Sequence, residues 1–128
     1  MQMDPVAFAE SWLSAWNAHD VEGVLSHFHE YAYFSSPFAH RLFPESGGTL
    51  RGKAQIRAYW AAGLLAIPNL HFTIEAVFVG IDHIVLLYRN QAGVQVSEVL
   101  QFADGLVIEG HGTYPPDVNK PTGDQAGT

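Results

Sequence analysis

The chain has 128 residues, no cysteine, and a formal net charge of −7 from 13 acidic and 6 basic side chains. That length fits one domain with a core of its own, and the lack of cysteine excludes a disulfide scaffold, thiolate metal sites, iron–sulfur clusters and a cysteine nucleophile. A composition 48% hydrophobic and only 15% charged excludes intrinsic disorder, and the acidic balance lacks the basic footprint that nucleic acid or anionic lipid requires.

Asp4-Pro5 opens a helix over about 5–17, with a carboxylate at the N-cap and proline where no amide hydrogen is needed. Phe8, Trp12 and Trp16 recur at four-residue spacing beside Ala9 and Leu13, which makes one apolar stripe. Asn17-Ala18-His19 breaks that helix, and Asp20 caps a second, short one with Val21, Val24, Leu25 and Phe28 inward. His27-Phe28-His29-Glu30 has the composition of a metal cluster, but residues two apart do not share a helix face, so no metal site is expected. Residues 31–36 alternate aromatic and small side chains and read as a short strand ending at Pro37. Residues 37–50 hold two prolines and two glycines and read as a loop.

A third helix runs from Lys53 to Ala66, with Ile56, Tyr59, Trp60, Gly63 and Leu64 as its packed face; Pro68-Asn69 ends it. The apolar stretch over 59–70 is broken by Pro68 and is too short to span a bilayer. The first residues include Asp4 and Glu10 and no Lys or Arg, which is not a signal-peptide pattern, so a cytoplasmic protein is expected.

After Leu70 the apolar period changes from helical to alternating. Strands are expected over 70–79, 82–90, 94–103 and 106–114, with turns at Gly80 to Asp82, Gln91 to Gly93 and Asp104-Gly105. Such short turns imply an antiparallel meander, and helices followed by a sheet imply an α+β layer plan. Residues 1–116 are expected to form one domain and 117–128 a flexible tail. Val85, Leu87 and Val99 fall on the sheet face away from the helices, a reason to expect a homodimer through that outer face.

The run Trp12-Leu-Ser-Ala-Trp16-Asn17-Ala18-His19-Asp20-Val21 is followed by Phe34-Ser-Ser-Pro37, then Leu50-Arg-Gly-Lys53-Ala-Gln-Ile56-Arg-Ala-Tyr59, then Phe102-Ala-Asp-Gly105-Leu. In this order and spacing, over about 5–114, the chain resembles the SnoaL-like branch of the nuclear transport factor 2-like superfamily. The resemblance implies a cone: three helices packed on a strongly bent antiparallel sheet, with a pocket in the wide end, commonly as a dimer. It does not name an activity, because this fold hosts unrelated functions. At the positions where the similar ketosteroid isomerases carry a tyrosine, a base aspartate and a protonated aspartate, this chain has Trp12, Ser36 and Leu100. Where the SnoaL-type polyketide cyclases carry an acid/base aspartate in the last strand, it has Gly112.

Strand parity supplies the candidates that remain. A turn closed by a bulge at Gly93 sets Tyr88 opposite Val96 and puts Val96, Glu98, Leu100 and Phe102 on the helix-facing side, with Ile84, Leu86 and Tyr88. Glu98 is the lone carboxylate on that face, and desolvation moves such a group toward the range useful to a general acid or base. The other reading is a structural Glu98 that binds a neighbouring His, Trp or Tyr. Trp12, Trp16, Tyr59 and Tyr88 are candidates to line a ligand pocket, Ser36 to hydrogen-bond a ligand, and His40 to reach one from the loop over the mouth. Glu109 and His111 are placed outward with Val107 and Thr113; Gly110 and Gly112 are placed inward, leaving room for a ligand.

The expectation is therefore a small-molecule-binding protein, without cofactor or metal, that takes a small, mostly apolar molecule. Glu98 would do acid/base chemistry of an isomerase, lyase, cyclase or hydrolase kind. The alternative is a non-catalytic ligand-binding or dimerisation module on the same fold.

Overall fold

A computed structural model of the chain describes residues 1–119. Helix α1 (Pro5–Asn17) starts as its sequence dictates: the Asp4 carboxylate accepts hydrogen bonds from the amides of Val6 and Ala7 and Pro5 takes the first position. It buries Phe8, Ala9, Trp12 and Trp16 on one face. Helix α2 (Val21–Leu25) is capped by Asp20, whose side chain accepts from the Gly23 amide. Phe28 is buried as expected, but as the first residue of strand β1 (Phe28–Ser35), which is longer than the alternation over 31–36 suggests.

The segment expected as a loop is partly ordered. Ser36 caps a helix α3 (Pro37–Leu42), a 3-10 turn covers Pro44–Ser46, and strand β2 (Thr49–Arg51) returns antiparallel to β1. Pro37 and Pro44, read as breakers, stand instead at first helical positions, where proline fits. The reversal uses Gly47 and Gly48 at φ 68° and 89°, a conformation that side chains rarely adopt. Four α-helices are therefore described rather than three. The fourth, α4 (Gly52–Ala66), buries Ile56, Tyr59, Trp60 and Gly63.

Strands β3 (Thr73–Val79), β4 (His83–Arg89), β5 (Gln95–Ala103) and β6 (Leu106–Thr113) form the expected antiparallel meander. The turn at Asn90–Gly93 has the expected construction: Gly93 sits at φ 77°, and Asn90 Oδ1 accepts from the amides of Ala92 and Val94. Tyr88 pairs with Val96, which fixes Glu98 on the helix side. The whole sheet has six strands in the order β2-β1-β6-β5-β4-β3. It is not wholly antiparallel, because β1 runs parallel to β6. A register shift between Gln101 and Phe102 lets Val107 turn inward, fully buried, while Glu109 and His111 remain half-exposed, so Val107 does not share their face.

The helices cover the inner face, and the core is a continuous cluster from Phe8 to Val107 that is rich in aromatic rings. Among the described residues no helix is long and apolar enough to cross a membrane. Residues 116–119 form a 3-10 turn; the rest of the expected tail lies outside the described residues.

Candidate functional site

Glu98 has no exposed surface. Its neighbours across the sheet are Leu86 on β4 and Gly112 on β6. Alternation along β5 turns it inward. The Tyr88 hydroxyl donates to Glu98 Oε1 at 2.9 Å. Tyr88 is held by Phe72, with ring centroids 4.5 Å apart, and by Trp12, edge-on at 5.2 Å.

The remaining sequence candidates divide into two places. Trp12, Trp16 and Tyr59 join Tyr88 and Glu98 in the interior. Trp16 meets Trp60 edge-to-face at 5.1 Å, and the indole N–H groups of both are buried without an acceptor among the described residues. Burial pushes the Tyr59 phenol well above its ordinary pKa, and nearby Tyr114 and Glu98 push it the same way. The Ser36 hydroxyl opposes this shift.

Ser36 and His40 belong to the second place. Ser36 is buried as the cap of α3, accepting from the Phe38 amide at 3.2 Å, and His40 is exposed one turn later. Together with Ser35, Arg41, Gly48 and Thr49 they line a shallow cavity of about 360 Å³ on the outside of the β1–β2 end. A second cavity of about 470 Å³ lies between β2 and α4, lined by Phe43, Leu50, Arg51, Gln55 and Ala58 among others. Neither reaches Glu98. His40, expected to reach a ligand from the loop over the mouth, lines the first of these cavities instead of joining Glu98 in the interior.

Gly110 is also not open space. A Cβ there would come within 2.9 Å of Phe34 Cδ1 and 3.0 Å of Leu100 Cδ2, so these side chains already fill the volume expected for a ligand.

One group was missed by sequence reasoning. The parallel pairing sets Ser35 beside His111 and Tyr33 beside Glu109 on the outer face. Ser35 Oγ hydrogen-bonds His111 Nδ1, and His111 Nε2 hydrogen-bonds Glu109 Oε2 at 2.7 Å. Hydrogen bonds from His111 and then Tyr33 hold the Glu109 carboxyl below the usual carboxylate range. The outward parity of Glu109 and His111 was legible; their partner on a strand 76 residues away was not.

Residues 9–114 match the SnoaL-like domain family. The chain is a member of the SnoaL-like family. It is 37% identical to a SnoaL-like protein of unknown function from Burkholderia thailandensis, with a TM-score of 0.83 over 90% of this chain and 97% of that one. It shares its fold with TerC, co-crystallised with polyporic acid, at 16% identity and a TM-score of 0.72 over 87% and 91% of the two chains. It also shares it with a protein of ketosteroid isomerase-like fold from Catenulispora acidiphila in complex with trimethylamine. That likeness has 18% identity and a TM-score of 0.65 over 85% of each chain. No curated protein matches the chain significantly. The α+β cone expected from the sequence is thus the fold of a SnoaL-like chain, with β1 and β2 extending the expected meander.

Proposed function

We propose that this SnoaL-like protein binds a small, mostly apolar molecule in its aromatic interior, and that Glu98 acts there as a general acid or base without a cofactor. The observation that supports this reading is a carboxyl of zero exposure sharing its interior with donors that lack acceptors. A buried N–H left without an acceptor costs about 1–3 kcal/mol, and Trp16 and Trp60 each carry one. A ligand with an apolar body and an oxygen or nitrogen acceptor would stack on these rings and satisfy those donors. Glu98, steadied by Tyr88, would then exchange a proton with it. Two relatives of the same fold hold small molecules, polyporic acid and trimethylamine, which is in keeping with this use of the fold.

The second reading, a non-catalytic module, is favoured by how closely Leu86, Tyr88 and the surrounding core enclose Glu98. Glu98→Gln separates the two. For a proton-transfer residue, neutralisation leaves stability unchanged or slightly raised, and native mass spectrometry finds a small molecule retained by the purified protein. For a structural acceptor, the same change costs about 1–3 kcal/mol in a denaturant melt. Marked destabilisation with ligand retention unaltered would remove Glu98 from the site.

A further inference from the structure

We propose that the cavity between β2 and α4 binds a zwitterion with an apolar substituent, the chemistry of a free apolar α-amino acid. The proposal is independent of Glu98, because none of the interior candidates lines this cavity. It also lies away from Val85, Leu87 and Val99, the outer-face residues expected to meet a second copy. Those are on β4 and β5, and β6 and β1 stand between these strands and β2.

Opposite charges line the cavity without pairing. Among the described residues, Arg51 and Glu45 form no ion pair with each other or with any neighbour. Arg57 and Arg89, by contrast, are paired with Glu22 and Glu75. Arg51 is nevertheless held in place: its guanidinium carbon stands 5.4 Å from the centre of the Tyr33 ring. Stacking uses the face of the guanidinium and leaves its edge of N–H donors, a fork that fits a carboxylate with two parallel bonds. Gln55 adds a donor: its Oε1 accepts from the Arg51 amide at 2.8 Å, which fixes the carboxamide and leaves Nε2 to donate. Glu45 is presented by the 3-10 turn over Pro44–Ser46. Ser46 ties that turn down by donating to the Phe43 carbonyl and accepting from the Gly48 amide. An ionised carboxylate is acceptor-only and suits an ammonium group. The rest of the lining is apolar. Leu50 is buried, Phe43 is half-buried against Tyr59 with ring centroids 6.5 Å apart, and Ala58 adds a methyl from α4.

Charge selects the ligand class. At about 470 Å³ the cavity is within the size range of small-molecule sites. A lone anion gains from Arg51 and loses to Glu45, and a lone cation does the reverse; a molecule with both charges gains from both. A wholly apolar molecule would strip water from two charges and pair neither. An α-amino acid carries its carboxylate, its ammonium and its side chain on one carbon, and so offers one group to each kind of lining.

The test titrates L-leucine into the isotope-labelled full chain and follows amide shifts by NMR. The expected result is a set of saturable shifts centred on residues 43–58. Isocaproate and isoamylamine, which keep the apolar body and one charge each, should bind about 10-fold or more weakly. Arg51→Gln and Glu45→Gln should each weaken leucine by about 10-fold or more. Their effects on the analogues should be opposite. Glu45→Gln removes a like charge and should bind isocaproate more tightly than the unmodified chain does, and Arg51→Gln should do the same for isoamylamine. Val85→Lys, on the face away from the cavity, should bind leucine unchanged. Shifts centred on Tyr88 and Glu98 would put leucine in the interior and overturn the proposal. So would isocaproate binding as tightly as leucine, leucine binding lost in Val85→Lys, or no saturable shift at millimolar leucine. Shift mapping on the unmodified chain decides the question even where a variant fails to fold.

Discussion

Asn17 and Phe72 are joined by a pair of hydrogen bonds that ties the end of α1 to the approach to β3. The Asn17 carboxamide donates from Nδ2 to the Phe72 carbonyl at 3.0 Å, and its Oδ1 accepts from the Phe72 amide at 2.8 Å. Phe72 in turn packs on Trp12, Trp16 and Tyr88, so this pair locates the ring at the centre of the interior.

Asn17→Ala removes both bonds at a half-buried position. At about 0.5–1.5 kcal/mol for each bond, the expected loss is about 1–3 kcal/mol, a fall of several degrees in Tm. Asn17→Asp keeps the acceptor and turns the donor into a second oxygen facing a carbonyl, so it should also destabilise. Urea melts of the two variants check this; an unchanged midpoint for Asn17→Ala would show that the pair holds nothing.

Gly110→Ala should lose about 1–3 kcal/mol, the usual effect of overpacking, because Phe34 Cδ1 and Leu100 Cδ2 stand at 2.9 and 3.0 Å from the new carbon. A shortened side chain at Leu100 should recover part of the loss. Circular dichroism melts of Gly110→Ala and of the double variant with Leu100→Val measure both effects, and simple additivity of the two losses would count against this packing.

His27 gives the fold a pH dependence. Its ring lies edge-on to Phe8 at 5.0 Å and its Nε2 bonds Ser11 Oγ at 2.9 Å. Burial lowers its pKa from the ordinary 6.5. The unfolded chain therefore binds the proton more readily, and stability rises with pH across that window. The contribution is complete above about 6.5 and is lost as pH falls through the depressed folded value. His27→Gln should flatten that part of the stability curve, measured by denaturant titrations at pH values on both sides of the window. An unaltered slope would assign the acid sensitivity to other groups.

The outer sheet face supports a homodimer, which we propose from a lateral row running Phe78–Val85–Val99–His111–Ser35 across five strands. The first three are apolar, and Phe78 is 58% exposed in the single chain. Light scattering at micromolar concentration should give twice the 14.1 kDa chain mass, and Val85→Lys should return it to one. A monomer in both cases would sink the proposal.

The sequence was most legible where structure is local. The Asp4-Pro5 start, the Phe8–Trp12–Trp16 stripe and the Asn90–Gly93 turn each depend on a few adjacent residues, and the turn alone was enough to place Glu98 inward. Residues 37–50 were less legible because Pro37 and Pro44 serve equally as loop breakers and as first residues of helical turns. Val107 was misplaced because a bulge shifts parity, and no single residue type marks it. Parallel pairing of β1 and β6 has no local signature, so Ser35 could not be joined to His111 in advance.

That pairing also orders events during synthesis. The sheet is β2-β1-β6-β5-β4-β3, so its first strand is bridged to the meander only through its last. Until β6 has left the ribosome, Phe28, Ala32 and Phe34 on β1 have no strand to flank them except three-residue β2. Contacts this distant in sequence are slow to form, and an unpaired apolar strand edge is exposed to other nascent chains. A SnoaL-like chain with this topology completes its fold after translation of β6, and a truncation before Leu106 leaves a fragment that aggregates rather than a smaller cone.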